Sequence, residues 1–182
     1  KSKGLELIYA PIQESNMSRP LSQFTKPVVI GTTKEEGNIY IRNESRKLSP
    51  ERFVEVMTLN DIHLHISQAQ TVKDQARMVT THYFETPAIS FLNQLDNNLH
   101  CWKLRFDWCL SNASPFQSAY HILDLVFWFG KLEILKAHGV NSLEHERHLS
   151  KHMIDDLIYF ATYHTMPWPS YSPQTPYCYI YK

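Results

Sequence analysis

Glycine is scarce: the 182 residues hold five, at positions 4, 31, 37, 130 and 139. None is spaced as G-x-G-x-x-G or as a P-loop, which closes the dinucleotide and phosphate-cradle readings. No G-x-S occurs either, so a strand-to-helix elbow presenting a nucleophilic serine is not contained in these residues. Cysteine is equally thin. Cys101, Cys109 and Cys178 are odd in number and form no C-x-x-C, which excludes a disulfide framework and a cysteine zinc site and leans toward a reducing compartment. Three N-x-S tripeptides, at Asn16, Asn43 and Asn112, pull weakly the other way. No apolar run approaches the ~18 residues of a membrane span. Charge of one sign is missing as well. The 18 Lys and Arg balance 18 Asp and Glu, leaving no footprint for nucleic acid and no polybasic face for a membrane surface. The opening Lys1-Ser2-Lys3-Gly4 lacks Met and a signal-peptide core and reads as an internal cut in a longer polypeptide.

What is present is a core-forming composition, 43% apolar and 13% aromatic, in a length that suits one domain or part of a larger one. Residues 1–26 are polar, carry Pro11 and Pro20, and read as a connecting loop. Pro27–Thr33 (PVVIGTT) has the pattern of a strand buried on both faces, as in a parallel sheet. Ser49-Pro50 predicts a helix from an N-cap serine and a proline at its first position, running to about Leu59. A second helical stretch is expected near Leu64–Lys73. A third covers residues 74–96, interrupted or kinked at Pro87. Leu99–Trp108 alternates Trp102, Leu104, Phe106 and Trp108 against Cys101, Lys103, Arg105 and Asp107, the period of a strand, with Arg105 and Asp107 placed to pair. His121–Gly130 reads as an apolar helix stopping at Gly130. A longer helix over about Ser142–Thr165 carries Leu149, Met153, Leu157 and Phe160 on one stripe. The proline-rich 167–176 reads as a clasp over a sheet edge, and Tyr177–Tyr181 as a last strand. The order is that of an α/β chain.

Chemistry gathers at two strand ends, where open α/β sheets place functional groups. One strand leads directly into Glu35-Glu36-Gly37; the other delivers His121 after a polar loop. A carboxylate orienting an imidazole is half of the arrangement that activates a serine or cysteine. By composition alone, a solvated turn glutamate and a core histidine remain the simpler readings. His145, His148 and His152 share a helical stripe, but the segment reads H-E-R-H rather than H-E-x-x-H. No metal and no cofactor is expected.

Residues 26–40, KPVVIGTTKEEGNIY, resemble a segment of type-B carboxylesterases (the cholinesterase and para-nitrobenzyl esterase family) that reads roughly P-L-L-I-G-T-T-x-D-E-G-x-x-F. LHCWKLRFDW (99–108) is similar to the family strand ending Y-R-F-D-W. SAYHILDLVFWFG (118–130) is similar to A-x-H-A-L-E-L-P-F-V-F-G. MVTTHYFETPA (78–88) and residues 148–173, with their W-P-x-Y turn, resemble two further family blocks, in order.

The resemblance implies the C-terminal part of an α/β-hydrolase fold, a few sheet strands with flanking helices, filling residues 1–182. It implies a triad of Ser, Glu and His in chain order, with Glu36 as the acid and His121 as the base. Asp124 stands in place of a family Glu near the active centre. The serine and the oxyanion loop would lie upstream. Its implied partners are a small-molecule carboxylic ester and the N-terminal part of the same polypeptide, and the chain alone is expected to be inactive and prone to self-association. A bacterial cytoplasmic enzyme resembling para-nitrobenzyl esterases is favoured. The alternative is a non-catalytic, cholinesterase-like binding or adhesion module. Asp124, Val126 and Thr81 depart from the family pattern without removing a triad member.

Overall fold

The computed structural model describes residues 24–95, 99–110 and 116–182. The predicted connecting loop therefore lies, through residue 23, outside the described residues, as does the 111–115 part of the polar loop.

Three parallel strands form one sheet in the order β1-β2-β3: β1 Val28–Thr33, β2 Cys101–Phe106 and β3 Tyr179–Tyr181. Parallel neighbours require crossover connections, and helices supply them. Between β1 and β2 lie α1 Pro50–Thr58, α2 Val72–Thr80 and α3 Thr86–Gln94; between β2 and β3 lie α4 Leu123–Trp128, α5 Glu133–Ala137 and α6 Glu144–Tyr163. The alternating side chains of β2 divide the core. Trp102, Leu104 and Phe106 pack with Leu123 and Phe127 of α4, Leu149 and Met153 of α6, and Tyr181. Cys101 faces the other way, against Leu92 of α3, Leu95 and Tyr171, with Val28 and Ile30 alongside. Helices thus cover both faces of the sheet. A third cluster joins α1 and α2 through Phe53, Met57, Ala76 and Val79.

Local signals act as the sequence predicts at several points. The Ser49 hydroxyl accepts the Arg52 N–H at 3.2 Å and α1 starts at Pro50. Arg105 and Asp107 form a two-pronged ion pair at 2.6 and 2.8 Å. The proline-rich clasp lies along β2, with the Tyr171 N–H donating to Cys101 O at 2.7 Å and the Trp102 indole donating to Trp168 O at 3.1 Å.

Other expectations are corrected. β1 is not buried on both faces: Val28–Ile30 are half-buried and Gly31 is exposed, with only Thr32 and Thr33 buried, because β1 forms one side of this sheet and pairs only with β2. The stretch Leu64–Lys73 is not a helix. It holds a three-residue turn, Ile66–Gln68, and α2 begins at Val72 because Thr71 and Asp74 exchange side-chain and backbone bonds in a capping box. Pro87 does interrupt the α-helical run, as expected, but through a widened turn: α2 ends at Thr80 and α3 begins at Thr86. The turn Thr81–Glu85 widens so that the Thr86 N–H donates to Thr81 O, five residues back. That widening makes room for a ring that would otherwise strike the carbonyl of Tyr83. On α6 the buried stripe is Glu146, Leu149, Ser150, Met153 and Asp156, while Leu157 is 50% exposed. Asp156 displaces the leucine because Tyr181 arrives buried on this face and its hydroxyl donates to Asp156 Oδ2 at 2.7 Å.

Candidate active site

Glu36 opens a short 3₁₀ turn, Glu36–Ile39, directly after β1. The turn can lie flat against α2 only because residue 37 is glycine: a Cβ there would sit 1.9 Å from Ala76 O. The Gly37 N–H donates to Thr80 Oγ1 at 2.8 Å, and that hydroxyl donates on to Ala76 O at 3.0 Å. α2 therefore fixes the turn by contact and by hydrogen bond. The Glu36 carboxylate folds back so that Oε1 accepts the Thr33 N–H at 2.6 Å.

His121 arrives on a loop that runs parallel beside Glu35. It is not inside the apolar helix, as the sequence pattern predicts, but just before it. Ile122 adopts a left-handed conformation (φ 66°), and α4 begins only at Leu123. This sharp turn aims the imidazole at Glu36, with His121 Nδ1 2.6 Å from Glu36 Oε2. With a carboxylate as acceptor, Nδ1 is the donor of this bond, and a neutral imidazole so held presents its lone pair at Nε2. The Glu36 side chain is 6% exposed and that of His121 32%: a buried carboxyl against a partly open imidazole. Phe84 and Tyr40 flank the imidazole, at centroid distances of 5.1 and 6.1 Å.

Two of the three candidate residues are thus brought into contact. Asp124, in the first turn of α4, makes no hydrogen bond to Glu36 or His121 among the described residues. Burial, and then the negative charge of Glu36, push its carboxyl above the ordinary aspartate range, against hydrogen bonds from the Trp128 indole and the α4 backbone. Sequence reasoning missed the Thr33 amide, Thr80, Tyr40 and Phe84. Thr80 and Phe84 lie more than 40 residues from Glu36, and no local pattern marks them.

Among the described residues no group of three or more His, Cys, Asp or Glu side chains is placed to hold a metal ion. His152 of the histidine stripe instead pairs with Asp156 at 3.2 Å. No helix among them is long and apolar enough to cross a membrane.

The parallel strands, the helices on both faces and the contact of Glu36 with His121 beyond adjacent strand ends mark part of an α/β-hydrolase fold. Solved structures agree. A PNB esterase superposes with a TM-score of 0.71 at 26% identity, covering 85% of this chain and 34% of that one. A thermophilic PNB esterase gives 0.72 at 24% identity, with the same coverage, a likeness of fold. The sequence profile of the carboxylesterase family matches residues 10–179, and the chain belongs to that family. Over 160 residues it is 26% identical to the para-nitrobenzyl esterase of Bacillus subtilis (strain 168), a match covering 82% of this chain and 32% of that protein. The chain spans about a third of the length of these relatives.

Proposed function

We propose that this chain is the C-terminal portion of a carboxylic ester hydrolase and supplies the acid, Glu36, and the base, His121, of a Ser-Glu-His triad. The serine and oxyanion hole would come from a preceding part of the same polypeptide. The observation that carries the reading is the 2.6 Å contact between His121 Nδ1 and a Glu36 carboxylate anchored on the Thr33 amide. That contact fixes the tautomer in which Nε2 is the proton acceptor. When a serine hydroxyl attacks the ester carbonyl, Nε2 takes its proton and then gives it to the departing alcohol. Glu36 steadies the imidazolium formed between the two transfers through a charge-assisted bond. Water then cleaves the acyl-enzyme by the same relay. Asp124 enters as a supporting carboxyl near Glu36, whose negative charge, after burial, pushes the Asp124 carboxyl above the ordinary aspartate range.

In this reading the 182 residues alone turn over no ester, because base and acid are present without nucleophile. The three free cysteines suit a reducing compartment such as the bacterial cytoplasm. The test is His121→Ala in the full-length protein, assayed on a short p-nitrophenyl ester. A loss of kcat on the order of 10⁴-fold or more is expected. Unchanged turnover in the variant would remove His121 from the triad, whereas no turnover in the wild type would leave a non-catalytic binding module as the better account.

A further inference from the structure

The ladder between β1 and β2 ends where the Lys34 N–H donates to Phe106 O at 2.9 Å. The chain of β2 then departs and returns at Phe116, so the strand bearing the acid and the loop bearing the base are no longer joined by regular sheet. At this point Glu35 changes partners. Its backbone N–H donates to Ala119 O at 3.0 Å, and its own carboxylate, through Oε2, accepts the Ala119 N–H at 3.0 Å. One residue grips both the amide and the carbonyl of another, alongside an isolated parallel bridge between Glu35 and Tyr120.

We propose that Glu35 is the positioning residue that sets the distance between the triad's base and acid, by clamping the incoming histidine loop at Ala119. Glu36 is one residue beyond one side of the clamp and His121 two residues beyond the other, which makes the clamp the shortest mechanical link between the two side chains. On one side the clamp joins the end of the β1–β2 ladder to the Glu36–Ile39 turn; on the other it holds a loop in which His121 is followed by the left-handed Ile122 and precedes α4. Ala119 is fully buried and Glu35 half-buried, so removing the carboxylate takes from the Ala119 N–H the acceptor that the fold supplies. Behind the loop, Tyr120 stacks on Phe116 with ring planes 12° apart, but stacking leaves sliding along the ring plane free and cannot set an ångström-scale distance. The carboxylate of Glu35 makes no contact with His121 among the described hydrogen bonds; it acts on the imidazole only through the backbone. The inference rests on the triad reading for its catalytic consequence, and on geometry alone for the clamp.

The experiment uses the full-length protein with Glu35→Ala and Glu35→Gln, with His121→Ala as the control for the triad itself. A glutamine oxygen still accepts the Ala119 N–H, so Glu35→Gln should hold kcat within about threefold, with an unchanged pH profile. Glu35→Ala should lower kcat by ~30- to 100-fold with KM within about twofold, as expected when a catalytic group is displaced by about an ångström. A separate readout needs no turnover. The low-field proton resonance of the imidazole bonded to Glu36 should persist in the wild type and in Glu35→Gln, and vanish or shift in Glu35→Ala, while thermal melts show all three folded. If the wild type hydrolyses no ester, or His121→Ala hydrolyses it undiminished, the triad reading falls, and the resonance still decides the clamp. A Glu35→Ala protein with wild-type kcat and an intact resonance overturns the inference. So does a Glu35→Gln protein as impaired as Glu35→Ala, since that would assign the effect to charge rather than position.

Discussion

Glu36 uses both carboxylate oxygens, one on the Thr33 amide and one on His121, and so is fixed in position before the imidazole meets it. Its neighbour in the field, Asp124, has the opposite fate: burial and the Glu36 charge raise its carboxyl above the ordinary aspartate range. The sign of the stability consequence follows. A group that binds its proton more tightly in the folded state contributes stability that is fully present below the unfolded pKa of ~3.9 and is lost as pH climbs through the folded value. Asp124→Asn cannot lose a proton, so denaturant melts from about pH 4 to pH 7 should show a flatter dependence on pH than the wild type, with stability at pH 7 at least as high. A steeper fall toward pH 7 in the variant would contradict this.

At the scale of elements, the start of α4 carries the cost of aiming His121. Ile122 is β-branched, 51% exposed and left-handed at φ 66°, a conformation that costs an L-residue about 1–2 kcal/mol. Glycine would occupy it without that strain, at the expense of some unfolded-state entropy. Ile122→Gly should therefore raise stability by about 0.5–1 kcal/mol in a denaturant melt, and a loss of that size would show that the exposed side chain has packing value after all. The strain lies next to the base, where a backbone held off its preferred region serves to direct a side chain. The widened turn at Thr81–Glu85 has a comparable effect. It lets one helical run pass Pro87 and present Thr80 to Gly37 before the proline and Leu92 to the sheet after it.

At the scale of the whole molecule, no strand among the described residues pairs with the outer side of β1, where Val28–Ile30 are half-buried and Gly31 exposed. Ile39, Tyr40, Ile122, Leu125 and Phe129 are exposed on segments that also carry the acid and base. A strand edge without a neighbour and apolar side chains in the open are liabilities in a free chain. With the chain spanning about a third of the length of its relatives, we propose that this side is where the remainder of the hydrolase domain packs. Expressed alone, the 182 residues should self-associate or bind a hydrophobic dye. A dye-negative, compact monomer in solution scattering would refute that.

The sequence by itself determined the α/β order, the alternating strand Cys101–Phe106 and the cap at Ser49, and it singled out Glu36 and His121 as candidates, because each is written in neighbouring residues or in short family blocks. Periodicity and capping are local, and a local code can be read without the fold. It did not determine the edge exposure of β1, the passage through Pro87, the burial of Asp156 in place of Leu157, or the position of His121 ahead of its helix. Each of these depends on a partner far along the chain or on a turn forced by packing. The contact on which the functional reading rests is of the second kind. Glu36 and His121 are 85 residues apart, and only the folding of β1 beside β2, with the histidine loop returning against Glu35, brings a carboxylate within hydrogen-bonding distance of an imidazole.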